Sequence, residues 1–402
     1  MSPVGFCDLN VYVVLKILDY CDESDIENLY FTCSKLQDII EHSIYYRRSL
    51  DLIMTGHKGN SANCKRSFTR YSYRERIKMN ENWINGRYRE LVLFHHRKWY
   101  PSKVLLESDL FYMSHAGAIR VHKRTRNEAV DRRYLCELSS LEESDISHFT
   151  KKGNTIFAGR VCGSCFIYED NYLTEQRLHG IKEYLTCVDF IDSTFITSTD
   201  KTTKLWSKSI ELGLINFELV KDFKEPYKCL RISESGDKIA CGMYTDFGRR
   251  ALREIDIETG TKRIFDSNTL SIYDLRYKDE NTILTANFDT TFRMFDRRTN
   301  RDEIIWMDPY DASFYCLEYD GLYGVVCGMK HFCRVNLYDI RVPRKFMQMY
   351  FPALRRSQGS PVYSVTCDSR YLFVVTDHNL RVLDFKADWA TVRDYRNIFV
   401  NI

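Results

Sequence analysis

Short runs in which apolar and polar residues alternate, the pattern of half-buried β-strands, recur along most of this chain. One of them, FITSTDKTTKLWSK at residues 195–208, reads as two extended runs joined by a polar tight turn, in which Asp200 lies six residues before Trp206. The same spacing to an aromatic or apolar residue recurs after Asp289 and after Asp377. The pattern therefore indicates one small structural unit used several times.

Seven copies of this unit can be aligned, four of them in looser form. Their equivalent aromatic or apolar positions are His122, Tyr168, Trp206, Ile255, Phe295, Tyr338 and Leu383. Successive positions are 46, 38, 49, 40, 43 and 45 residues apart, and a period near forty points to a repeat architecture. Because each copy also has an alternating run upstream of its turn, we expect the unit to be a small antiparallel sheet.

The seven copies resemble WD repeats, whose four-stranded blades form a propeller. In such a blade, an aspartate in the turn between the second and third strands accepts hydrogen bonds from turn N–H groups and from a histidine near the start of the blade. This predicts a hydrogen bond between His179 and Asp200. Trp206 is expected to pack between blades. The residues predicted to stabilise blades in this way are His179, Asp200, Trp206, Asp246, Asp289 and Asp377.

A propeller must also close its ring. The run RELVLFHHRKW at 89–99 precedes the first repeat and alternates well enough to supply the outer strand of the last blade. Residues 387–402 could compete for that place. We favour the N-terminal strand.

The first fifty residues have helical rather than strand periodicity. Apolar residues recur at steps of three and four in two stripes, formed by Leu9, Val13, Ile17 and Cys21 and by Ile26, Leu29, Cys33, Leu36 and Ile40. Ser24 followed by Glu27 is a capping box, which predicts the start of the second helix. A helical unit of this size needs a partner, because it buries too little surface alone. Either the propeller or another protein can provide that partner.

Charge and cysteine usage narrow the class of protein. Residues 1–50 have 4 basic and 8 acidic side chains, a net charge of −4, and residues 51–100 have 11 basic and 4 acidic side chains, a net charge of +7. Since the whole chain has a net charge of +3, the remaining residues sum to zero. These three differently charged regions suggest three structural units. The 14 cysteines are scattered along apolar runs and the N-terminus lacks a signal-peptide pattern, so we expect free thiols in the cytosol or nucleus. No apolar run approaches the length of a membrane-spanning helix.

The sequence offers little catalytic or metal-binding chemistry. Cys162 and Cys165 form one CxxC motif, and Cys327 and Cys333 are the candidates for the second pair of ligands that a zinc site would need. Buried thiols that pack as small apolar side chains explain these cysteines better than a zinc site. Aromatics and bases interleave at 65–78, but no nucleic-acid-binding fold signature accompanies them. Phosphate-loop, GxSxG and HExxH motifs are missing, so we expect neither an enzyme nor a cofactor or metal site.

Two further motifs resemble a known family. Residues 8–48 are similar to an F-box, with Leu9 kept, Asn10 in place of the usual proline and Tyr45–Arg47 in place of Leu-Trp-Arg. Residues 74–93, with NWING inside them, resemble the linker that joins F-boxes to WD repeats. The likeness to F-box/WD-repeat proteins, and among them to the dactylin (F-box/WD repeat-containing protein four) family, extends over essentially the whole chain.

The resemblance implies an α+β multidomain chain, with a helical F-box at 1–50, a basic linker at 51–88 and an all-β, seven-bladed WD-repeat propeller at 89–402. It also implies a non-catalytic substrate receptor of a ubiquitin ligase, whose F-box binds the Skp adaptor and through it a cullin. The residues that this resemblance assigns to adaptor binding are Leu9, Val13, Ile17, Ile26, Leu29, Cys33, Leu36 and Tyr46. The alternative is a propeller scaffold whose F-box-like helices do not engage the ligase.

The target is expected at the propeller face built from the turns between second and third strands and from the connections between blades. Basic residues recur in those segments, namely Arg160, Lys201, Arg249, Arg250, Lys330, His331, Arg355 and Arg356. Together they predict a positive rim suited to an acidic or phosphorylated protein target. The competing interpretation is a set of separate, solvated surface charges.

Overall fold

Seven four-stranded antiparallel sheets, the blades, form a closed ring in the computed structural model of this chain. Neighbouring blades contact each other around the ring, and the inner strand of the last blade contacts that of the first. The structure describes residues 5–59, 61–95, 101–126, 129–142, 144–211, 214–244, 250–352 and 359–387. The predicted seven-bladed propeller with a small N-terminal helical region is confirmed.

Each blade runs from an inner strand at the central channel to an outer strand at the rim. The inner strands of blades 1 to 7 are β2 (Val104–Leu106), β6 (Ile146–Lys152), β10 (Leu185–Ile191), β14 (Cys229–Ile232), β18 (Ile272–Asp279), β22 (Phe314–Tyr319) and β26 (Ser364–Cys367). The second strands are β3 (Leu110–His115), β7 (Thr155–Arg160), β11 (Thr194–Thr199), β15 (Lys238–Gly242), β19 (Thr282–Asn287), β23 (Gly324–Met329) and β27 (Tyr371–Val375). The third strands are β4 (Ala118–Thr125), β8 (Ser164–Glu169), β12 (Thr203–Glu211), β16 (Leu252–Asp256), β20 (Thr291–Asp296), β24 (Val335–Asp339) and β28 (Asn379–Asp384). The outer strands are β5 (Ala129–Leu138), β9 (Tyr172–Arg177), β13 (Leu214–Asp222), β17 (Lys262–Ile264), β21 (Arg301–Met307), β25 (Gln348–Tyr350) and, for blade 7, β1 (Arg89–His95).

The repeat alignment and the ring closure agree with the sequence. All seven equivalent positions aligned from the repeats lie in third strands. Strand β1 pairs antiparallel with β28, from Arg89 opposite Asp384 to His95 opposite Asn379. An N-terminal strand therefore completes the last blade, as expected, and residues 388–402 lie outside the described residues.

The apolar core lies mainly between adjacent blades. In the part of the chain that the structure describes, seven clusters of buried side chains are each shared by two neighbouring blades. Trp206 of blade 3, for example, lies against Phe157 of blade 2 and against Phe195 of its own blade. Each blade thus buries both faces of its sheet, which explains why the strands read as strongly apolar.

The N-terminal helices enclose a small core of their own. They are α1 (Val11–Leu18), α2 (Glu23–Tyr30), α3 (Ser34–Ile40), a π-helical turn (Glu41–Tyr45) and α4 (Tyr46–Ser49). Their buried apolar side chains are Val14, Leu18, Ile26, Tyr30, Leu36, Ile40 and Tyr45. We call this unit the helical module.

The start and length of the second helix differ from the sequence expectation. The capping box from Ser24 to Glu27 was the wrong cap, because Asp22 comes earlier and its carboxylate accepts the N–H of Asp25 at 2.8 Å. The hydroxyl of Ser24 donates instead to that same carboxylate, at 2.7 Å. The apolar stripe is also divided between two helices, since Cys33 is extended and precedes α3.

Two more helices lie between the helical module and β1. They are α5 (Ala62–Arg66) and α6 (Tyr73–Asn85). Helix α6 begins with a capping box between Ser72 and Glu75 and ends at Gly86, whose φ of 65° is the left-handed conformation that glycine adopts most readily. This glycine reverses the chain into the closing strand of blade 7.

Candidate interaction surfaces

The end of α6 is fixed to blades 6 and 7. The indole of Trp83, fully buried, stacks on Phe385 with ring centroids 3.6 Å apart, and its Nε1 donates to the carbonyl of Ser369 at 3.0 Å. The carbonyl of Trp83 accepts the hydroxyl of Tyr350 at 2.7 Å, and Asn82 donates to the carbonyl of Phe385 at 2.8 Å. The segment at 51–88, which we predicted as a basic linker, is thus folded and packed at this end.

Helix α5 covers one end of the central channel. The side chain of Arg66 lines the channel and forms an ion pair with Glu318, near the C-terminal end of an inner strand. The N–H of Ala62 donates to the carbonyl of Asp320 at 2.6 Å. Nearby, a Cβ on Gly324 would lie only 2.5 Å from the sulfur of Met54, so blade 6 and the connecting segment pack without room for a side chain.

The predicted adaptor-binding residues fall into three groups by burial. Ile26 and Leu36 lie in the core of the helical module, where no partner can touch them without unfolding it. Leu9, Leu29 and Cys33 are partly buried against the same core. The three exposed members of the set are Val13, Ile17 and Tyr46.

An apolar stripe on α1 faces solvent. Val13 and Ile17 are one turn apart and are 45% and 38% exposed, and Tyr20, three residues further on, is 93% exposed. The opposite side of the helix buries Val14 and Leu18 in the module core. Exposed apolar side chains on a helix that buries only Val14 and Leu18 are typical of a binding surface. We call these three exposed residues the α1 stripe.

The bond predicted between His179 and Asp200 does not form. His179 Nε2 instead lies 2.7 Å from the hydroxyl of Thr197, which accepts Trp206 Nε1 at 2.8 Å. The other ring nitrogen of His179 lies 3.2 Å from a carboxylate oxygen of Glu183. Burial lowers the pKa of His179 to about 4, with Lys204 adding to the effect, so the ring is neutral and links the carboxylate to the hydroxyl.

The three described turn aspartates, Asp200, Asp289 and Asp377, each have different partners. Asp200 is exposed and accepts the N–H of Tyr184 at 2.8 Å, since this turn faces the preceding connection rather than the histidine. Asp289 accepts Thr291 at 2.5 Å and pairs with Arg293 at 2.6 Å. Asp377 accepts the hydroxyl of Tyr363 at the channel. Asp246 lies outside the described residues.

One predicted rim residue is structural. Arg160 is fully buried, and its guanidinium bonds Glu175 at 2.8 Å and the carbonyls of Gly117 and Ser144 at 2.8 and 2.6 Å. All its donors are directed into the protein, so it is not available to a target. Its place next to the turn in the sequence suggested a rim position, but the side chain points inward.

The other rim residues are dispersed. Lys201 and His331 are exposed, Lys330 lies 5.1 Å from the ring centre of Phe288, and Arg250 pairs with Asp266 at 3.0 Å. The remaining three, Arg249, Arg355 and Arg356, lie outside the described residues. No continuous arginine cluster is formed by the residues that the structure describes.

The central channel is a cavity of about 1080 Å³ with mixed charge. Arg231 lies 3.8 Å and Arg276 2.9 Å from the same carboxylate oxygen of Asp274. Burial would raise the pKa of Asp274, but Arg276, Arg231 and Lys103 together hold it below its ordinary value. The Asp274 carboxylate is thus already neutralised by the arginines beside it.

Opposite α5, the channel mouth is lined by aromatic rings that sequence reasoning missed. Tyr273 and Tyr315 stack with centroids 4.8 Å apart, and Tyr363 meets Tyr315 edge to face at 5.8 Å. Lys228 lies 6.0 Å from the ring centre of Tyr273, and the ammonium of Lys103 donates to the carbonyl of Tyr363 at 2.9 Å. We call these five residues the tyrosine arc. Its signal in the sequence was a tyrosine at the same place in three successive copies.

Thiols and metal ligands add no further site. Cys165 is buried, and Cys162 lies 3.2 Å from the hydroxyl of Ser164. Across the described ranges, no group of three or more His, Cys, Asp or Glu residues is placed to hold a metal ion. Among the same residues, no helix has both the length and the apolar character needed to cross a membrane.

The structure defines a class: a seven-bladed propeller preceded by an N-terminal helical module, whose core packs against Tyr73 and Ile77 of α6. The chain is 24% identical to human F-box/WD repeat-containing protein 4 over 399 residues, covering 93% of this chain and 91% of that protein. It is 25% identical to the mouse F-box/WD repeat-containing protein 4 over 338 residues, covering 78% of this chain and 77% of that protein. No family model matches the chain. The chain is thus similar to F-box/WD-repeat proteins over most of its length, and its seven-bladed propeller agrees with that similarity.

Proposed function

We propose that this protein is the substrate receptor of a Skp–cullin–F-box type of ubiquitin ligase, with the α1 stripe contacting the Skp adaptor and the propeller holding the target. The observation that carries the proposal is the α1 stripe. It presents Val13 and Ile17 to solvent on α1 and Tyr20 just beyond the end of that helix, while Val14 and Leu18 face the module core. The chain acts as an interaction module, and the transfer chemistry belongs to its partners.

The anchored helical module supports this role. Trp83 packs into the core shared by blades 6 and 7, and Arg66 pairs with Glu318 in the channel. A receptor works by holding its target at high effective concentration near the charged ubiquitin carrier, and a rigid connection gives this effect more reliably than a flexible one. Such a receptor would work in the cytosol or nucleus.

The adaptor test must avoid residues of the module core. Replacing Leu29 by aspartate would place a charge against that core and unfold the module, which confuses binding with folding. The double variant Val13→Asp with Ile17→Asp changes only exposed positions. Val220→Asp is the matched control, because Val220 is an equally exposed apolar residue on the outer strand of blade 3.

Co-purification of the full chain with the Skp adaptor is the measurement. We expect wild type and Val220→Asp to bring down the adaptor, and the α1 stripe variant to lose it with an unchanged melting curve. If wild type does not bind the adaptor, the alternative of a propeller scaffold outside the ligase is correct. If the α1 stripe variant still binds, the adaptor contacts another surface.

A further inference from the structure

We propose that the tyrosine arc binds an acidic peptide segment containing a proline or aromatic residue. Such a peptide would be the target segment of the receptor proposed above. Only this identification as a ligase target rests on the proposed function. The site itself follows from five side chains at the channel mouth.

The tyrosine arc is built from one register position on five consecutive blades. Lys228, Tyr273, Tyr315, Tyr363 and Lys103 each lie at the start of the inner strand of blades 4, 5, 6, 7 and 1, respectively. Neighbouring blades place equivalent residues side by side around the channel, so residues far apart in sequence become a continuous row. Three aromatic rings are thereby flanked by one ammonium group at each end.

The rings offer a preformed apolar platform. Tyr273, Tyr315 and Tyr363 are half-buried, and each is held by a ring contact with its neighbour. Tyr363 is further fixed by donating its hydroxyl to Asp377 at 2.8 Å. Tyr244, 57% exposed, extends the row beyond Tyr273 at 6.4 Å. Rigid tyrosines bind a flat or cyclic side chain at a low cost in conformational entropy.

The flanking charges select an anionic partner. Lys103 and Lys228 form no ion pair with a carboxylate among the described residues, and Asp274 behind them is neutralised mainly by two arginines, to which Lys103 adds. Lys330, next to Phe288, adds a third cation on the same side. Burial raises the pKa of Tyr273 to about 12, so its hydroxyl stays a neutral donor. Carboxylates and phosphates match this surface, and basic peptides do not.

The opposite end of the channel limits how the peptide lies. Arg66 and its ion pair with Glu318 occupy that end, about 10 Å along the inner strand from Tyr315 at the usual rise per residue. A peptide therefore lies across the tyrosine arc and does not thread through the ring. Nucleic acid fits less well, because its phosphates need a longer row of cations than the two lysines that flank the tyrosine arc.

The test uses labelled synthetic peptides and fluorescence anisotropy with the full chain. One peptide has a Trp-Pro core flanked by glutamates, and matched versions have phosphoserine flanks, lysine flanks, or glutamate flanks around an alanine core. A single-stranded oligothymidylate is the nucleic-acid probe. The variants are Tyr315→Ala and the double variant Lys103→Glu with Lys228→Glu. Their controls are Tyr172→Ala, an exposed tyrosine on blade 2, and Lys65→Glu on α5.

We expect the glutamate or phosphoserine peptide with the Trp-Pro core to bind, and the stronger of the two shows whether carboxylate or phosphate is preferred. Tyr315→Ala should weaken binding about tenfold. The double lysine variant should weaken it further and remove its salt dependence. Both controls should bind like wild type.

Four results would overturn the inference: no binding of either anionic peptide, equal binding of the lysine or alanine-core peptide, unchanged affinity in the tyrosine arc variants, or tighter binding of the oligothymidylate at the same residues. Adaptor co-purification of the same proteins separates the two proposals. If the protein binds the adaptor but not the peptides, only the proposal for the tyrosine arc is wrong. If it binds the peptides but not the adaptor, only the proposed ligase function is wrong.

Discussion

Trp83 and Phe385 lie face to face, with ring planes 14° apart, and this contact joins the segment before the propeller to the last strand of the ring. Trp83 comes from α6, and Phe385 directly follows β28. The same indole meets Tyr350 edge to face at 5.8 Å, so the contact also reaches blade 6. This aromatic cluster therefore links the end of α6 to the last strand of the ring, alongside the contacts of the preceding segment with blade 6.

Replacing Trp83 by alanine should destabilise the whole chain by about 3 to 5 kcal/mol, because it empties a fully packed site and removes the hydrogen bond to Ser369. Denaturant unfolding gives this value, and limited proteolysis of residues 51–72 reports release of the connecting segment. Trp306→Ala is the control, since Trp306 is as deeply buried but lies in the core shared by blades 5 and 6. Equal proteolysis of both variants would show that Trp83 is not the attachment point.

Thr197 should matter more to blade stability than Asp200. Thr197→Val leaves the ring nitrogen of His179 and the indole N–H of Trp206 without their partner, which costs about 2 to 4 kcal/mol. Asp200→Ala removes one bond at an exposed turn and should cost about 1 kcal/mol or less. Chemical denaturation of both variants measures the difference. A larger loss for Asp200→Ala would restore the aspartate as the main anchor of this blade.

His179 should make the protein sensitive to acid. Its pKa in the folded state is about 4, below the ordinary 6.5, so the unfolded chain takes up a proton first as pH falls. Stability from this residue is complete above about pH 6.5 and is lost between pH 6.5 and 4, by about 3 kcal/mol. The difference in unfolding free energy between wild type and His179→Gln should shrink over that range.

Asp320 should have the opposite pH dependence. It is buried, burial raises its pKa to about 7, and one carboxylate oxygen has no hydrogen-bond partner among the described residues. The folded state therefore keeps a proton that the unfolded chain loses near pH 3.8, and the associated stability is lost as pH rises through 7. Asp320→Asn keeps the acceptor for the N–H of Leu322 and removes the charge.

We therefore expect Asp320→Asn to be more stable than wild type by about 2 to 4 kcal/mol at pH 8, with the advantage shrinking as pH falls and approaching zero near pH 3.8. Equilibrium denaturation across this pH range measures it. A constant difference at all pH values would mean that the carboxyl is ionised throughout, and that its buried oxygen has a partner such as an ordered water.

The architecture was accessible from the sequence because the repeat is periodic. Positions such as Trp206 and Phe295 recur at a fixed offset from a turn aspartate, and the closing strand at 89–95 alternates like the others. The capping box of α6, Ser72 with Glu75, follows the same local rules and was readable, although the sequence reasoning did not use it. Local patterns of this kind depend only on neighbours in the chain.

The interaction surfaces were less accessible because they depend on which residues meet in space. The tyrosine arc joins Lys103 to Tyr363, which are 260 residues apart. Burial also depends on the tertiary fold: Ile17 and Ile26 belong to similar apolar stripes, but the first is exposed and the second is buried. The spacing of apolar residues predicts which side chains share one face of a helix. It does not predict whether the protein's own core or another protein covers that face.

The last prediction separates a buried arginine from an exposed lysine in equivalent turns. Arg160→Met should destabilise the protein by roughly 3 kcal/mol or more, because it leaves two carbonyls and part of Glu175 without donors between blades 1 and 2. Lys201→Met, at the exposed turn of blade 3, should change stability by less than about 0.5 kcal/mol. Thermal and denaturant unfolding measure both. If Arg160→Met melts like wild type and instead loses a binding partner, the guanidinium must leave its buried site to bind, and Arg160 would return to the target-binding rim.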